Sequence, residues 1–156
     1  MEEIEQLLVF TLDQQRYALR LSAVDRVVRM IEITSLPKAP DIVLGIINVG
    51  GRIVPVVNTR KRFRLQERET GLSDQLIIAS TVTRSVALLV DATTGVIERP
   101  GNWLIRAEKI VPGLEYVEGV IKLEDGMVLV HDLGRFLSLD EEKALYEAMS
   151  GVKGKT

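Results

Sequence analysis

Apolar and polar positions along this chain alternate in short runs separated by turn residues, and the runs are too short for long helices. Gln6 to Leu12 is rich in Leu, Val, Phe and Thr and predicts a strand. Asp13-Gln14-Gln15 predicts a turn, and Arg16 to Leu21 a returning strand with Tyr17, Leu19 and Leu21 on one face. Val24, Val27, Val28 and Ile31 follow at mixed spacing, which leaves helix and strand unseparated there. Ser35 to Pro40 predicts a loop, because Pro37 and Pro40 cannot donate to a ladder. Residues 43–48 and 52–58 predict a hairpin, Arg60 to Leu65 a short helical turn, and Gln66 to Ser73 an exposed polar loop. Gln75 to Thr81 and Ser85 to Asp91 predict a second hairpin, and Thr94 to Arg99 a further strand ended by Pro100-Gly101-Asn102. Val117 to Leu123 and Gly126 to His131 predict a third hairpin, whose Asp125-Gly126 pair tolerates positive φ. Ser138 followed by Glu141 fits a capping box that opens a C-terminal helix, with Leu139, Leu145, Ala148 and Met149 on its packing side. Strands at short spacing with little helix imply a mainly all-β protein, a barrel or a sandwich.

One of these units recurs. Gly45-Ile46-Ile47-Asn48-Val49 matches Gly119-Val120-Ile121-Lys122-Leu123, 74 positions later, and beyond the turn Ile53, Val54 and Val56 fall on Met127, Val128 and Val130. The chain carries two copies of a similar β unit, and two units leave a groove between them. No segment reads as a flexible linker, so the halves are expected to share strands or a tight interface.

Composition narrows the function. The chain has 156 residues, 46% of them hydrophobic but only 4% aromatic, so Val, Ile and Leu must fill the core. A net charge of −2 gives no global attraction to nucleic acid or anionic membrane. With no cysteine there is no disulfide framework and no thiolate site. The start, Met1-Glu2-Glu3-Ile4-Glu5, is acidic, unlike a signal peptide, and no apolar run reaches membrane-spanning length, so a cytoplasmic location is expected. Charge is uneven. Residues 43–64 carry Arg52, Arg60, Lys61, Arg62 and Arg64 with no acid, whereas residues 107–147 carry ten acids against four bases. Such polarity suits partners with the reverse pattern.

Catalytic chemistry is thinly supplied. His131 is the single histidine, lies at the end of an apolar run beside Asp132, and reads as structural. No cluster has metal-ligand spacing, so no metal, cofactor or catalytic residue is expected. Gly50-Gly51-Arg52 precedes a strand, whereas phosphate loops precede a helix. Asp91-Ala92-Thr93-Thr94-Gly95 is a poor match to an aspartic-protease motif. Arg60-Lys61-Arg62-Phe63-Arg64 offers a basic run with one aromatic, the basis of a remote reading as a small nucleic-acid-binding barrel. An interaction module needs only rigid surfaces with apolar patches, which Val/Ile-rich strands supply.

Gly45-Ile46-Ile47-Asn48, Gly51, Ile53, Pro55-Val56 and Arg60 to Phe63 resemble the signature of the CheW family of chemotaxis coupling proteins. The opening strand to Leu12, Val86 to Asp91 and Val117 to Leu137 resemble further family segments. The resemblance implies two intertwined five-stranded β-barrel subdomains in one domain over residues 1–150, to which the residues themselves add the short C-terminal helix and a frayed, flexible tail at 151–156. It also implies a non-enzymatic adaptor between the regulatory domain of a CheA-type histidine kinase and the cytoplasmic hairpin tip of chemoreceptors, with no nucleic acid and no membrane insertion. Positions matching the family's receptor groove are Val24, Gly45, Gly51, Leu76 and Ile77. Three signature positions depart: Gly50 stands where the family has Arg, Arg26 where it often has the pairing Glu, and Asn58 where it has Asp. The resemblance leaves open a divergent scaffold of a pilus-driven or developmental pathway with altered receptor binding.

Overall fold

The structure, a computed structural model, describes residues 3–106 and 117–153. The strands are β1 (Ile4–Leu12), β2 (Gln15–Arg20), β3 (Val24–Arg29), β4 (Val43–Val49), β5 (Arg52–Val57), β6 (Gln75–Ser80), β7 (Ser85–Val90), β8 (Ala92–Pro100), β9 (Leu104–Arg106), β10 (Val117–Leu123) and β11 (Gly126–His131). The helices are α1 (Thr59–Arg62) and α2 (Leu139–Lys153). Two sheets result. Sheet I has the order β8-β1-β2-β11-β10-β9, and sheet II the order β3-β6-β7-β5-β4.

The segment 24–29, ambiguous by periodicity, is a strand because its neighbour β6 offers a ladder, with Val27 opposite Ile77. Helix α2 runs through Gly151 to Lys153, past the start of the expected tail, and residues 154–156 lie outside those described.

Strand exchange between the halves is visible in the topology. The N-terminal hairpin β1–β2 joins the C-terminal hairpin β10–β11 through a parallel pair, Ala18 opposite Val130. The intervening chain closes sheet II by the same device, a parallel pair with Val56 opposite Ala87. The two signature hairpins therefore sit in different sheets, as two subdomains require. Neither ladder closes into a complete barrel. Sheet I has a sixth strand, β9, whose counterpart in sheet II is reduced to a single bridge between Thr34 and Ile46.

The repeat is structural as well as sequential. Both β4 and β10 carry a bulge, between Val43 and Gly45 and between Val117 and Gly119. A Cβ on Gly45 would lie 2.3 Å from the Thr34 carbonyl oxygen, and one on Gly119 2.4 Å from that of Ile105. Each glycine is required because another backbone segment crosses directly over it.

Burial follows the two-residue period of the strands. In β1, Leu7 and Val9 join a cluster inside sheet I with Ala18, Ile121, Val128 and Val130. In β6, Leu76 and Ile78 join the matching cluster inside sheet II with Ile47, Val54 and Val56. The opposite faces, Leu8, Phe10 and Leu12 with Ile77 and Ala79, meet in a third cluster between the sheets, which Leu145, Ala148 and Met149 of α2 complete. Central strands buried on both faces explain the unbroken apolar runs read from the sequence.

Candidate functional site

The seam between the sheets holds the polar chemistry of the molecule. Arg60, in α1 after β5, is nearly buried and donates 2.9 Å hydrogen bonds to both carboxylate oxygens of Asp91 and one of 3.0 Å to the Gln66 carbonyl. It also contacts Asp13 at 2.8 Å. Arg68 reaches Asp74 and Asp91, each at 2.7 Å. Asp13 belongs to the β1–β2 turn of sheet I, Arg60 follows a strand of sheet II, and Asp91 lies where the chain passes from β7 to β8. The ion cluster thus ties the subdomains at the crossover. Burial alone would raise the Asp91 carboxyl. The Asp13 backbone N–H and the guanidinium groups of Arg60 and Arg68 outweigh that and hold it below the usual carboxylate range.

Beside the cluster, side chains from both halves stack. Phe63 lies on His131 with ring centroids 4.0 Å apart, Tyr17 lies 4.8 Å from Phe63, and Phe136 meets both Phe63 and His131 edge-on at 5.7 Å. His131 is buried in this stack, in accord with a structural role. Helix α2 is fastened across the seam. The Arg62 guanidinium contacts Glu141 at 2.6 Å and that of Arg84 contacts Glu142 at 3.6 Å. The capping box is complete, since Ser138 N–H donates to Glu141 Oε1 and Glu141 N–H to Ser138 Oγ.

These contacts correct the reading of residues 60–64 as a basic surface patch. Arg60 and Arg62 are engaged by carboxylates, and Phe63 turns inward onto His131 and Tyr17, so no stacking platform faces solvent there. The signal lay in the spacing: Arg60 and Phe63, three apart in a helical turn, share its inner side.

The positions matching the receptor groove divide by exposure. Leu76 and Ile77 are fully buried and pack on opposite faces of β6, so they shape the sheet from within and present no side chain at its surface. Val24 is half-buried at the start of β3. Gly45 is buried beneath Thr34, and Gly51 is exposed at the tip of the β4–β5 hairpin. There Gly50 and Gly51 have φ of 57° and 88°, and Gly51 N–H donates 2.8 Å to Asn48 Oδ1. Glycine is the residue best suited to that left-handed backbone at position 50, which the resemblance sets against a signature Arg. Arg26 is exposed on edge strand β3. Asn58 caps α1, its Oδ1 accepting from Lys61 N–H at 3.1 Å, so the change from Asp retains the cap.

Two hollows flank the seam. One, of about 70 Å³, lies beneath the loop 66–74 and is walled by Asn58, Arg60 and Asp91. The other, of about 280 Å³, is open and runs between the β6–β7 turn at Val82, the β2–β3 link at Ser22 and the segment Asp132 to Gly134. Among the described residues no group of side chains is arranged to hold a metal ion, and no helix is long and apolar enough to cross a membrane.

Two open sheets that exchange strands and are pinned together by ion pairs define a two-sheet, β-rich module. Comparison with known proteins makes the class specific. The CheW-like domain model matches residues 6–141, so the chain belongs to the CheW-like family. It is 25% identical to the chemotaxis protein CheW of Treponema pallidum, over 92% of this chain and 88% of that one. It is 28% identical to CheW of Thermotoga maritima, over 85% and 87%. Among solved structures it is similar to the scaffolding protein TtCheW of Thermoanaerobacter tengcongensis, with a TM-score of 0.80, 29% identity, and coverage of 90% of this chain and 96% of that one.

Proposed function

We propose that this chain is a non-enzymatic adaptor of a bacterial chemosensory system, which couples the cytoplasmic hairpin tip of chemoreceptors to the regulatory domain of a CheA-type histidine kinase. The observation that carries this reading is the match to the CheW-like model across both sheets, from β1 to the start of α2. The ion pairs and stacked rings across the seam support it, because an adaptor transmits one partner's position to another only if its two halves hold a fixed angle.

Val24, Gly45 and Gly51 supply the groove surface and its backbone shape in this reading, while Leu76 and Ile77 support β6 beneath it. Gly50 and Arg26 favour a second form of the proposal, a divergent scaffold of a pilus-driven or developmental pathway, since the Arg–Glu pair of typical members cannot form here.

Calorimetric titration of the purified chain tests both forms, first with the CheA regulatory domain of the same genome and then with a receptor hairpin-tip fragment. Micromolar binding to both supports coupling. Kinase binding without receptor binding supports the divergent scaffold, and binding to neither refutes the adaptor reading.

A further inference from the structure

The two halves build the same corner twice and fill it once. The signature hairpins correspond by a shift of 74 positions, which sets Asn58 against Asp132, Arg60 against Gly134 and Leu44 against Glu118. The parallel pairs Val56–Ala87 and Val130–Ala18 set β7 against β2, hence Asp91 against Ser22. The hairpin pairs Ile77–Leu88 and Leu8–Leu19 set Val82 against Asp13.

In the first corner, Arg60 bridges Asp91 and Asp13, and the loop 66–74 folds over it with Arg68 inserted against Asp91. About 70 Å³ of space is left. In the second corner the bridging arginine is Gly134, the two carboxylates it joined are Ser22 and Val82, and about 280 Å³ stands open. Among the described residues no loop returns over it: beyond Gly134 the chain passes through the buried Phe136 and Leu137 into α2.

The walls state what the open corner takes. Asn58 donates from Nδ2 to the covering loop, to Glu67 Oε1 at 2.7 Å. Its counterpart Asp132 is a carboxylate and offers an acceptor instead. Glu118 stands where the first corner has Leu44, and it already binds Arg20, which Glu5 also holds at 2.5 Å. The contact between Asp132 and Arg135 is 3.4 Å long between well-exposed side chains and holds Asp132 only weakly. Arg20 also lines the corner, but its guanidinium is shared between Glu5 and Glu118, which leaves the Asp132 carboxylate, with no Arg60 equivalent at Gly134, to take a guanidinium from outside. We propose that the cleft between Val82, Ser22 and Asp132 is a docking slot for a loop of a partner protein that inserts an arginine, doing from outside what Arg60 and Arg68 do internally in the other half. The slot shares no lining residue with the positions assigned to receptor contact above, though Ala23 on its wall adjoins Val24.

The test is a titration of the isotope-labelled full chain with an acetylated, amidated Gly-Arg-Gly peptide and with its citrulline counterpart, followed by amide chemical shifts. The arginine peptide is expected to move Ser22, Thr81, Val82 and residues 132–134, saturating in the millimolar range. The citrulline peptide, and Asp132→Asn with the arginine peptide, should bind about tenfold more weakly or less. Asn already caps the equivalent turn at position 58, so D132N preserves the fold while removing the charge. Gly134→Arg, which restores the missing arginine in cis, should abolish binding. Equal binding of the citrulline peptide, no effect of D132N, shifts mapping elsewhere, or no shifts at millimolar peptide would overturn the proposal.

Discussion

Replacing Arg60 by Met keeps the unbranched stem of the side chain and removes the guanidinium, which largely separates the ion cluster from packing. Arg60 makes bonds to Asp91, Asp13 and the Gln66 carbonyl, and its side chain is 10% exposed. Asp13, with a side chain 49% exposed, rehydrates when released, so its share is at most about 1 kcal/mol. Asp91 is 25% exposed and loses the two hydrogen bonds it accepts from Arg60 but keeps Arg68 and the Asp13 N–H. Breaking a buried pair outright costs about 3–5 kcal/mol, and the remaining partners reduce that. Arg60→Met is therefore expected to destabilise the chain by about 2–4 kcal/mol. Asp91→Asn should cost a similar or smaller amount, since Arg60 retains Asp13 and Arg68 retains Asp74. The two changes should not add: a double-mutant cycle by urea unfolding, followed by far-ultraviolet circular dichroism, should give a coupling of about 1–3 kcal/mol. A loss below about 1 kcal/mol in R60M, or coupling within about 0.5 kcal/mol of zero, would show that the cluster decorates the seam and does not hold it.

The same carboxylates predict an acid limb. Asp91 and Glu141 are both held below their ordinary values; for Glu141, burial opposes the shift and the Arg62 guanidinium with the Ser138 backbone N–H and hydroxyl overcomes it. Their contribution is complete above the unfolded values of about 4 and is lost as pH falls through the lower folded values, so the urea midpoint should drop below about pH 4, less steeply in Asp91→Asn. Gly119→Ala forces apart β10 and the Ile105 carbonyl and should cost about 1–3 kcal/mol, with thermal unfolding as the readout; a smaller loss would show that β9 yields freely. Leu145→Ala opens a cavity in the cluster between the sheets and should cost about 2–5 kcal/mol in chemical denaturation, against about 1 kcal/mol for Ser138→Ala, which removes one hydrogen bond of the α2 cap.

Local patterns carried much of this fold. The hairpins were legible because their turns bear Gly or short polar runs between apolar stretches, and the cap of α2 because Ser138 and Glu141 stand at a fixed spacing. Gly45 and Gly119 stood out only through the repeat; the reason for them, a carbonyl crossing overhead, comes from Thr34 and Ile105, which no local pattern links to them. The ion cluster was hidden for the same reason. Its members come from positions 13, 60, 68, 74 and 91, and each reads alone as an ordinary surface charge. Residues 60–64 misled because composition registers four cations and not their direction. The burial of Leu76 and Ile77 follows from β6 lying between β3 and β7 with a cluster on either face, and strand order is set by long-range pairing that one sequence does not display.

The parallel seam between β2 and β11 also orders events in time. Gln15 donates to the Met127 carbonyl across 112 positions of chain, whereas every ladder of sheet II lies within the continuous segment 24–90. On a ribosome adding about 5–20 residues per second, β2 waits roughly 6–22 s for its parallel partner β11, while sheet II assembles in the interval. Until then Leu7, Val9 and Ala18 lack the lining of Ile121, Val128 and Val130, which leaves the nascent N-terminal hairpin with apolar surface for a chaperone to shelter during synthesis.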